Sequence, residues 1–548
     1  MLLTGAQILI EELVRNNTDI VFGYPGGAVL EIYDILLKNE NRIRHVISAH
    51  EQGAVHAADG YARIMGKPGV VIATSGPGAA NLVTGIANAY LDSVPLVVIT
   101  GNVATALLGK DSFQEVDIVG ITQPVVKHNH IVRDVNDLAF ELSSAFNIAM
   151  QGRKGPVLID IPKDVQCEKC EYIPCELKQS KNRVFGNISE AIEVINHCKR
   201  PYIYCGGGVI WANAENEVYT LSQKISAPIG LSMMGLSAIP GSYKLNLGMC
   251  GMHGKYAASV VQSKADLMIA VGVRFSDRAT GDIAEYTKNC RVIHIDIDHA
   301  ELGKNVPEII ELCGDAKQIL SGILQKIDEQ HNSEWIETIA NDLQVDVNED
   351  DDSFSPRNII RAVREYSNDD TIIATDVGQH QMWVMQNYIF AKPRTLLTSG
   401  GLGTMGYGFG AAIGGCIACG KKRTILLTGD GSFGMNLNEL ATAVSQELPI
   451  TIILMNNGVL GMVRQWQGLF YEERYSSTTL KRKTDFPALA KAFGADGVMV
   501  SSIDELRKTL NSDLPDNMPF LIDCHIDMDE KVFPMIPPGG SVRDIRIG

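Results

Sequence analysis

Short apolar runs alternate with longer amphipathic stretches along almost the whole chain. In the first third, IVFGYP, RHVISAH, GVVIATSG, PLVVITG and GPVLIDIP have the length and β-branched content of strands. EQGAVHAADGYARIM and GAANLVTGIANAYL between them have helical spacing. The middle third repeats the rhythm with RPYIYCGGGVI, ADLMIAVGVRF and RVIHIDID. The last third opens on the helical NIIRAVREYS and continues through TIIATDVG, RTILLTGDG, ITIILMNN and FLIDCHID. Such alternation predicts α/β layers built on parallel sheets. The N-terminal MLLTGAQILIEELVRNN predicts an amphipathic helix. Glu11 and Glu12 interrupt its apolar run and no basic leader precedes it, so it does not read as a signal peptide.

The rhythm breaks at two places. CEKCEYIPCELKQSKNRVF, at about 166–186, is polar, and the acidic DVNEDDDSFSPR, near 330–356, reads as a solvated linker ending at Pro356. The breaks predict three doubly wound parallel-sheet domains over residues 1–166, 186–330 and 356–548. Thr74-Ser75-Gly76 and Thr398-Ser399-Gly400 each end a predicted strand and open a glycine-rich turn. This short match hints that the first and last domains are related units.

Composition narrows the partners. With 548 residues the chain exceeds a single core, and 45% apolar with 20% charged residues suits a globular protein. A net charge of −16 argues against nucleic acid or an anionic membrane as the main partner. No run of eighteen apolar residues predicts a membrane span. The eleven cysteines, an odd number, sit mostly in apolar runs, as at Cys250, Cys290 and Cys416. That pattern predicts reduced thiols and a cytoplasmic location. Cys167, Cys170 and Cys175 in CEKCEYIPC could ligate zinc, but no second ligand pair at matching spacing follows, and linker is the better reading.

The stretch with most chemistry is GDGSFGMNLNELATAVSQELPITIILMNN, Gly429 to Asn457. RTILLTGD reads as a buried strand ending at Asp430. Asn436 is the predicted N-cap of the next helix, with Glu439 as its capping-box partner and Pro449 as its stop. ITIILMNN is the next strand, so Asp430 and Asn457 are predicted at the carboxyl ends of parallel strands, where open α/β sheets bind ligands. Two side-chain oxygens there suit Mg²⁺, the intervening helix N-terminus suits phosphate, and Gly429 and Gly431 allow close backbone approach. The sum predicts a metal-bridged diphosphate. The bland alternative is an Asp-Gly turn and an unrelated Asn-Asn turn.

GDG followed two dozen residues later by NN resembles the thiamine diphosphate signature. The resemblance implies Asp430 and Asn457 as side-chain metal ligands and a backbone carbonyl near Val459 as a third. It also implies a carboxylate against the aminopyrimidine ring, stabilising the imino tautomer that deprotonates the thiazolium. HVISAHEQGAVHAADGYAR resembles the family element that carries this acid, which points to Glu51. In that family the acid and the diphosphate site come from different subunits, so at least a homodimer, or a homotetramer, is implied. Ala49 departs from the pattern, since many relatives carry Arg there.

NNGVLGMVRQWQGLFY is more specific and resembles the acetohydroxyacid synthase (acetolactate synthase) catalytic-subunit family. So do GYPGGAVLEIYD, LLGKDSFQEVDIVGITQPVVKH, GLGTMGYGFGAA and VFPMIPPGGS, and the likeness runs from about residue 4 to 540. It implies decarboxylation of pyruvate on thiamine diphosphate. The resulting hydroxyethyl carbanion is then joined to a second pyruvate or to 2-ketobutyrate, the first common step of valine, leucine and isoleucine synthesis. By resemblance Met405 props the cofactor's bent shape, and Gly403, Gly429, Gly431, Ser432 and Met462 line its site. Arg278 holds the acceptor carboxylate, and Trp466 and Met462 wall its side chain. Gln114 donates to a substrate oxygen, Gly27 offers a backbone N–H near the reacting centre, and Lys163 stands at the channel mouth.

The middle domain resembles the flavin-dependent branch. Gly206 and Gly207 in GGGVI, Met252 and His253 in GMHGKYA, and Gly272, Arg274 and Arg278 in GVRFSDR are the implied FAD contacts, with Asp296 and Ile297 in HIDID beside the ribose. The flavin is expected to be structural, because the reaction has no net redox step. Ser276 departs from the Asp of many relatives. A separate small regulatory subunit often accompanies such chains. The competing readings are a pyruvate oxidase of the same fold and a non-catalytic nucleotide-binding protein; GMVRQWQGLFY and VRFSDR argue against the first, and the set Glu51, Gln114, Asp430 and Asn457 against the second.

Overall fold

The computed structural model describes residues 1–175, 184–307, 309–343 and 353–548. Residues 176–183 of the predicted first linker, and most of the acidic run before Pro356, lie outside the described residues. The rest folds as three α/β units on three principal sheets.

The N-terminal sheet has six parallel strands, in spatial order Arg44–Ile47, Ile20–Tyr24, Gly69–Ala73, Leu96–Asn102, Pro156–Pro162 and His128–Ile131. The C-terminal sheet also has six parallel strands, in the order Leu396–Leu397, Ile372–Thr375, Thr424–Gly429, Ile450–Asn456, Phe520–His525 and Asp496–Val500. Numbered along the chain, both sheets run 2-1-3-4-6-5. The relation between the two units is therefore one of complete topology. The paired Thr-Ser-Gly turns did not report it: Thr74 follows the third strand of its sheet and Thr398 the second.

The central sheet has seven strands centred on Pro201–Cys205, Leu267–Val271 and Arg291–Asp296. Its last strand, Phe185–Gly186, is antiparallel, which corrects the expectation of purely parallel sheets. The helix Ser333–Leu343 belongs with this unit, since Trp335 is buried in its core and donates from Nε1 to the Pro201 carbonyl at 3.0 Å.

The N-terminal prediction is corrected at its start. Leu2–Thr4 pairs antiparallel with Lys169–Glu171, and the helix runs only over Gly5–Arg15. Thr4 and Gln7 form a reciprocal capping box that stops the helix from extending back into the strand. The same pairing draws the first part of the predicted linker into the N-terminal unit. Cys170 is buried there while Cys167 is exposed, and all eleven cysteines are unpaired.

The helices Glu51–Met65 and Tyr407–Ala418, each following strand 2 of its sheet, pack directly on one another. Small residues make this approach possible. A Cβ on Gly60 would strike the Ala411 carbonyl, and one on Gly414 the Ala57 carbonyl. One apolar core therefore runs from Ala57 and Val71 of the first unit through Tyr407 and Leu426 of the last.

Candidate active site

Asp430 follows strand Thr424–Gly429 directly and opens the helix Asp430–Asn436, while Asn457 follows the adjacent strand Ile450–Asn456. Because the strands are parallel neighbours, both side chains emerge at one sheet edge. The backbone N–H groups of Asp430 and Gly431 and the charge of Arg482 favour the ionised form of the buried Asp430 carboxylate. Burial nevertheless pushes its carboxyl up to about 6. Among the described residues it forms no ion pair and feels only Arg482 from a distance, an electrostatic state that a hard divalent cation would relieve. Asn457 accepts from the Val459 N–H at 3.2 Å and donates from Nδ2 to Gln379 Oε1 at 3.3 Å, which fixes its amide. Val459 is buried and bridges to Thr479.

The predicted capping box is not formed. Asn436 donates instead to the Gly406 carbonyl at 3.1 Å, and the following helix, Glu439–Ser445, starts after an uncapped turn and ends before Pro449. Glu439 is used elsewhere. It accepts from the Ala49 and His50 N–H groups at 3.3 and 3.0 Å, so it fixes the chain just ahead of Glu51. Ala49 itself is exposed. The competition is tertiary: an incoming backbone with free donors outbids the local cap.

Met405 precedes Gly406, whose N–H donates to Asp376 Oδ1 at 2.8 Å and Ser432 Oγ at 3.2 Å. Ser432 thus joins the Met405 loop to the Asp430 helix. The stretch leading into this loop is held from the N-terminal unit: Ser399 Oγ donates to Asn88 Oδ1 at 2.6 Å, and the Gly400 and Gly401 N–H groups donate to Asp92.

A cavity of about 570 Å³ lies between this loop and the carboxyl edge of the central sheet. Gly403, Met405, Met462 and Trp466 line one side. Gly207, Gly272, Arg274, Asp296 and Ile297 line the other, with Met252 and His253 near Arg278. Gly206 is behind the wall, where a Cβ would meet the Gly272 carbonyl. Burial pushes the Asp296 carboxyl up to about 7 and the His253 imidazole down to about 4. The His253 Nδ1 is buried without a partner. An acid at a strand end beside glycine turns and a guanidinium is the donor set a dinucleotide takes. Arg278 lies over the Trp466 ring at 5.6 Å and donates to the Met252 sulfur at 3.6 Å. Ser276 caps the short Asp277–Thr280 helix only by position, with no side-chain bond.

The remaining predicted residues form a second cluster on the N-terminal sheet. Glu51 opens its helix and accepts from Asn81 Nδ2 at 3.0 Å. A Cβ on Gly78 would lie 3.2 Å from Glu51 Oε1, and one on Gly76 would press on the Gln114 backbone. Burial and the nearby Glu51 charge hold the Tyr33 phenol above its ordinary range. Gly27 stands in open space next to Gly26, which packs on Thr74. Gln114 has φ of 59° and follows Phe113, the most exposed large apolar side chain among the described residues. Lys163 is exposed at the start of Lys163–Cys167. None of Gly27, Glu51, Gln114 or Lys163 lines the cavity that Met405 and Trp466 share.

Several residues escaped the sequence reading. Asp376, Gln379 and His380 follow the buried strand Ile372–Thr375, and the signal was the polar cluster DVGQHQ after an apolar run. The His380 Nε2 is buried without a partner, and its ring occupies the space beside Gly378 and Gly429. Arg153 lines the cavity and pairs with Glu301 at 2.8 Å.

Three family models match the chain: the thiamine pyrophosphate enzyme N-terminal TPP binding domain at residues 3–121, the central domain at 188–323 and the C-terminal TPP binding domain at 376–524. The chain is 43% identical to the acetolactate synthase large subunit of Corynebacterium glutamicum, covering 99% of this chain and 90% of that protein. It is 43% identical to the acetolactate synthase isozyme 1 large subunit of Escherichia coli, over 98% and 96% of the two chains. A probable acetolactate synthase large subunit of Methanocaldococcus jannaschii is 42% identical, over 99% and 95%.

Proposed function

The chain belongs to the acetolactate synthase large-subunit family of thiamine pyrophosphate enzymes, and on that premise we propose that it joins two 2-ketoacids. Pyruvate loses carbon dioxide, and its two-carbon remainder is transferred to a second pyruvate, giving 2-acetolactate, or to 2-ketobutyrate, giving 2-aceto-2-hydroxybutyrate. Bound thiamine diphosphate supplies the nucleophilic carbon and the electron sink. Asp430, Asn457 and the Val459 carbonyl would hold Mg²⁺ on its diphosphate, and Met405 would press on it from the cavity side. FAD, in a structural role, would lie along Gly207, Gly272, Arg274 and Asp296.

The observation that carries this reading is the Arg278–Trp466 pair on the same cavity as Met405 and Met462. A fixed guanidinium over an aromatic wall suits an acceptor that brings a carboxylate and a short apolar tail. Glu51 would hold and pass the proton that activates the cofactor, Gln114 would donate to the substrate oxygen, and the Gly27 N–H would approach the reacting centre. Lys163 would stand at the entrance.

Glu51 and Gln114 do not line the cavity of their own chain, which supports a site completed by a second copy. Exposed Leu107 and Phe113 near one half and Leu402, Phe470 and Tyr471 near the other give that contact apolar surface. A homodimer is the smallest competent assembly, and a homotetramer pairs two of them. The relatives' description as large subunits extends to a small regulatory partner for this chain. No helix among the described residues is long and apolar enough to cross a membrane. Eleven unpaired cysteines favour the cytoplasm.

The test is the purified chain with pyruvate, thiamine diphosphate and Mg²⁺ under nitrogen, with acetolactate measured as acetoin. Acetolactate forms without oxygen; an absolute need for oxygen would instead assign an oxidase. In the same assay Trp466→Leu reduces discrimination between 2-ketobutyrate and pyruvate by roughly tenfold, within the ~1–3 kcal/mol that one methylene contributes.

A further inference from the structure

The strand His128–Ile131 forms the outer edge of the N-terminal sheet, and its sequence, HNHI, puts two histidines two residues apart. Alternate residues of a strand point to opposite faces. Asn129 goes to one face, where its Nδ2 donates to the Val119 carbonyl and to Thr122 Oγ1 at 2.6 and 3.0 Å. His128 and His130 go to the other, the face covered by helix Leu138–Met150, and their rings stand parallel, 6.3 Å apart at 10°. Glu141 reaches them from the first turn of that helix. One ligand atom from each of the three lies within 4.8 Å of the others, and all three residues are half-buried.

We propose that His128, His130 and Glu141 bind a divalent transition-metal ion, Zn²⁺ foremost, at a site separate from the diphosphate metal. Two imidazoles and one carboxylate are a donor set that Zn²⁺ takes with one position left for water. Tetrahedral Zn²⁺ holds its ligands about 3.4 Å apart, so the present spacing closes by modest side-chain rotation. The pairing already present is a poor substitute: His130 Nε2 and Glu141 Oε1 are 3.9 Å apart, too long for a hydrogen bond. Lys127, next in sequence to His128, does not compete, because its ammonium is held by the Ile148 and Gln151 carbonyls. Mg²⁺ prefers oxygen ligands and would not displace a metal held by two imidazoles. Glu51 follows the strand at the opposite edge of the same sheet, so the site lies away from the proposed acid. The bound ion would tie an edge strand to the helix that covers it.

The experiment uses the full chain carrying thiamine diphosphate and Mg²⁺, stripped of trace metals, with Zn²⁺ titrated in excess Mg²⁺. The bound Zn²⁺ falls by one ion per chain in both His130→Phe and Glu141→Gln, and the Zn²⁺-induced rise in melting temperature is lost, while acetolactate formation is unchanged. X-ray absorption on the chain with one equivalent of Zn²⁺ shows nitrogen and oxygen neighbours at about 2.0–2.2 Å. Unchanged stoichiometry in either variant overturns the three-ligand site. Sulfur neighbours at about 2.3 Å would assign the ion to cysteines and overturn it equally. Glu141→Gln keeps the shape of the side chain, so a folding defect in the histidine variant leaves the test intact.

Discussion

The first and last sheets have one strand order and two different edges. After strand 3 the N-terminal sheet carries Thr74, Ser75 and Gly76, and the C-terminal sheet carries Asp430 at the start of a helix. After strand 4 the corresponding residues are Val103 and Asn457. After strand 2 one sheet leads straight into the Glu51 helix, and the other passes through the Met405 loop before its equivalent helix. The scaffold fixes where a side chain can meet a ligand, and the residue placed there decides the chemistry. One edge gathers a carboxylate and neutral donors, while the other gathers a buried acid and an amide and faces a guanidinium of the central unit across an aromatic ring.

That division can be broken most severely by mixing halves. Glu51→Gln slows turnover by about 10²–10⁴ and leaves diphosphate binding largely intact. Asp430→Ala loses the metal and the diphosphate with it. If the halves are supplied by different chains of a symmetric dimer, co-assembled single variants recover about a quarter of the wild-type activity, because one site of each mixed dimer is whole. Absence of recovery would place both halves of each site in one chain.

The seam between the sheets gives the next largest effect. Gly414→Ala drives a methyl into the Ala57 carbonyl and destabilises the fold by about 1–3 kcal/mol, read as a lowered melting temperature. An exposed position such as Gly420, where a Cβ would meet nothing, shows only the cost of its positive φ.

The smallest effect separates the edges by pH. Burial raises the Asp430 carboxyl to about 6, and the protonated group cannot ligate, so Mg²⁺ affinity falls by about tenfold for each pH unit below that point. The sign for folding is opposite. Between the ordinary carboxyl range and pH 6 the metal-free fold holds the extra proton, so this group's contribution to stability declines as pH rises through that window, and Mg²⁺ restores it. Asp430→Asn abolishes both trends; their persistence would assign them to another acid.

Much of this was legible in the sequence because burial writes itself as apolar runs. Strands Gly69–Ala73, Leu96–Asn102 and Ile450–Asn456 lie in sheet interiors and read plainly. His128–Ile131 and Asp496–Val500 did not, because the first is an edge strand of half-buried, mostly polar residues and the second an edge strand with an exposed Met499. Asp430 and Asn457 were legible because a single βαβ unit places both. Asn88, Asp92 and Glu439 were not, since each bonds a segment more than 300 residues away.

Asp92 ties the first unit to the last at the Met405 loop. Its carboxylate pairs with Arg63 at 2.9 Å inside the N-terminal unit and also receives the Gly400 and Gly401 N–H groups from the C-terminal one. The loop that ends at Met405 is therefore templated from outside. Gln381 and Asp376 brace the same loop from within its own unit, so its shape depends on both units at once, like a keystone gripped from two sides.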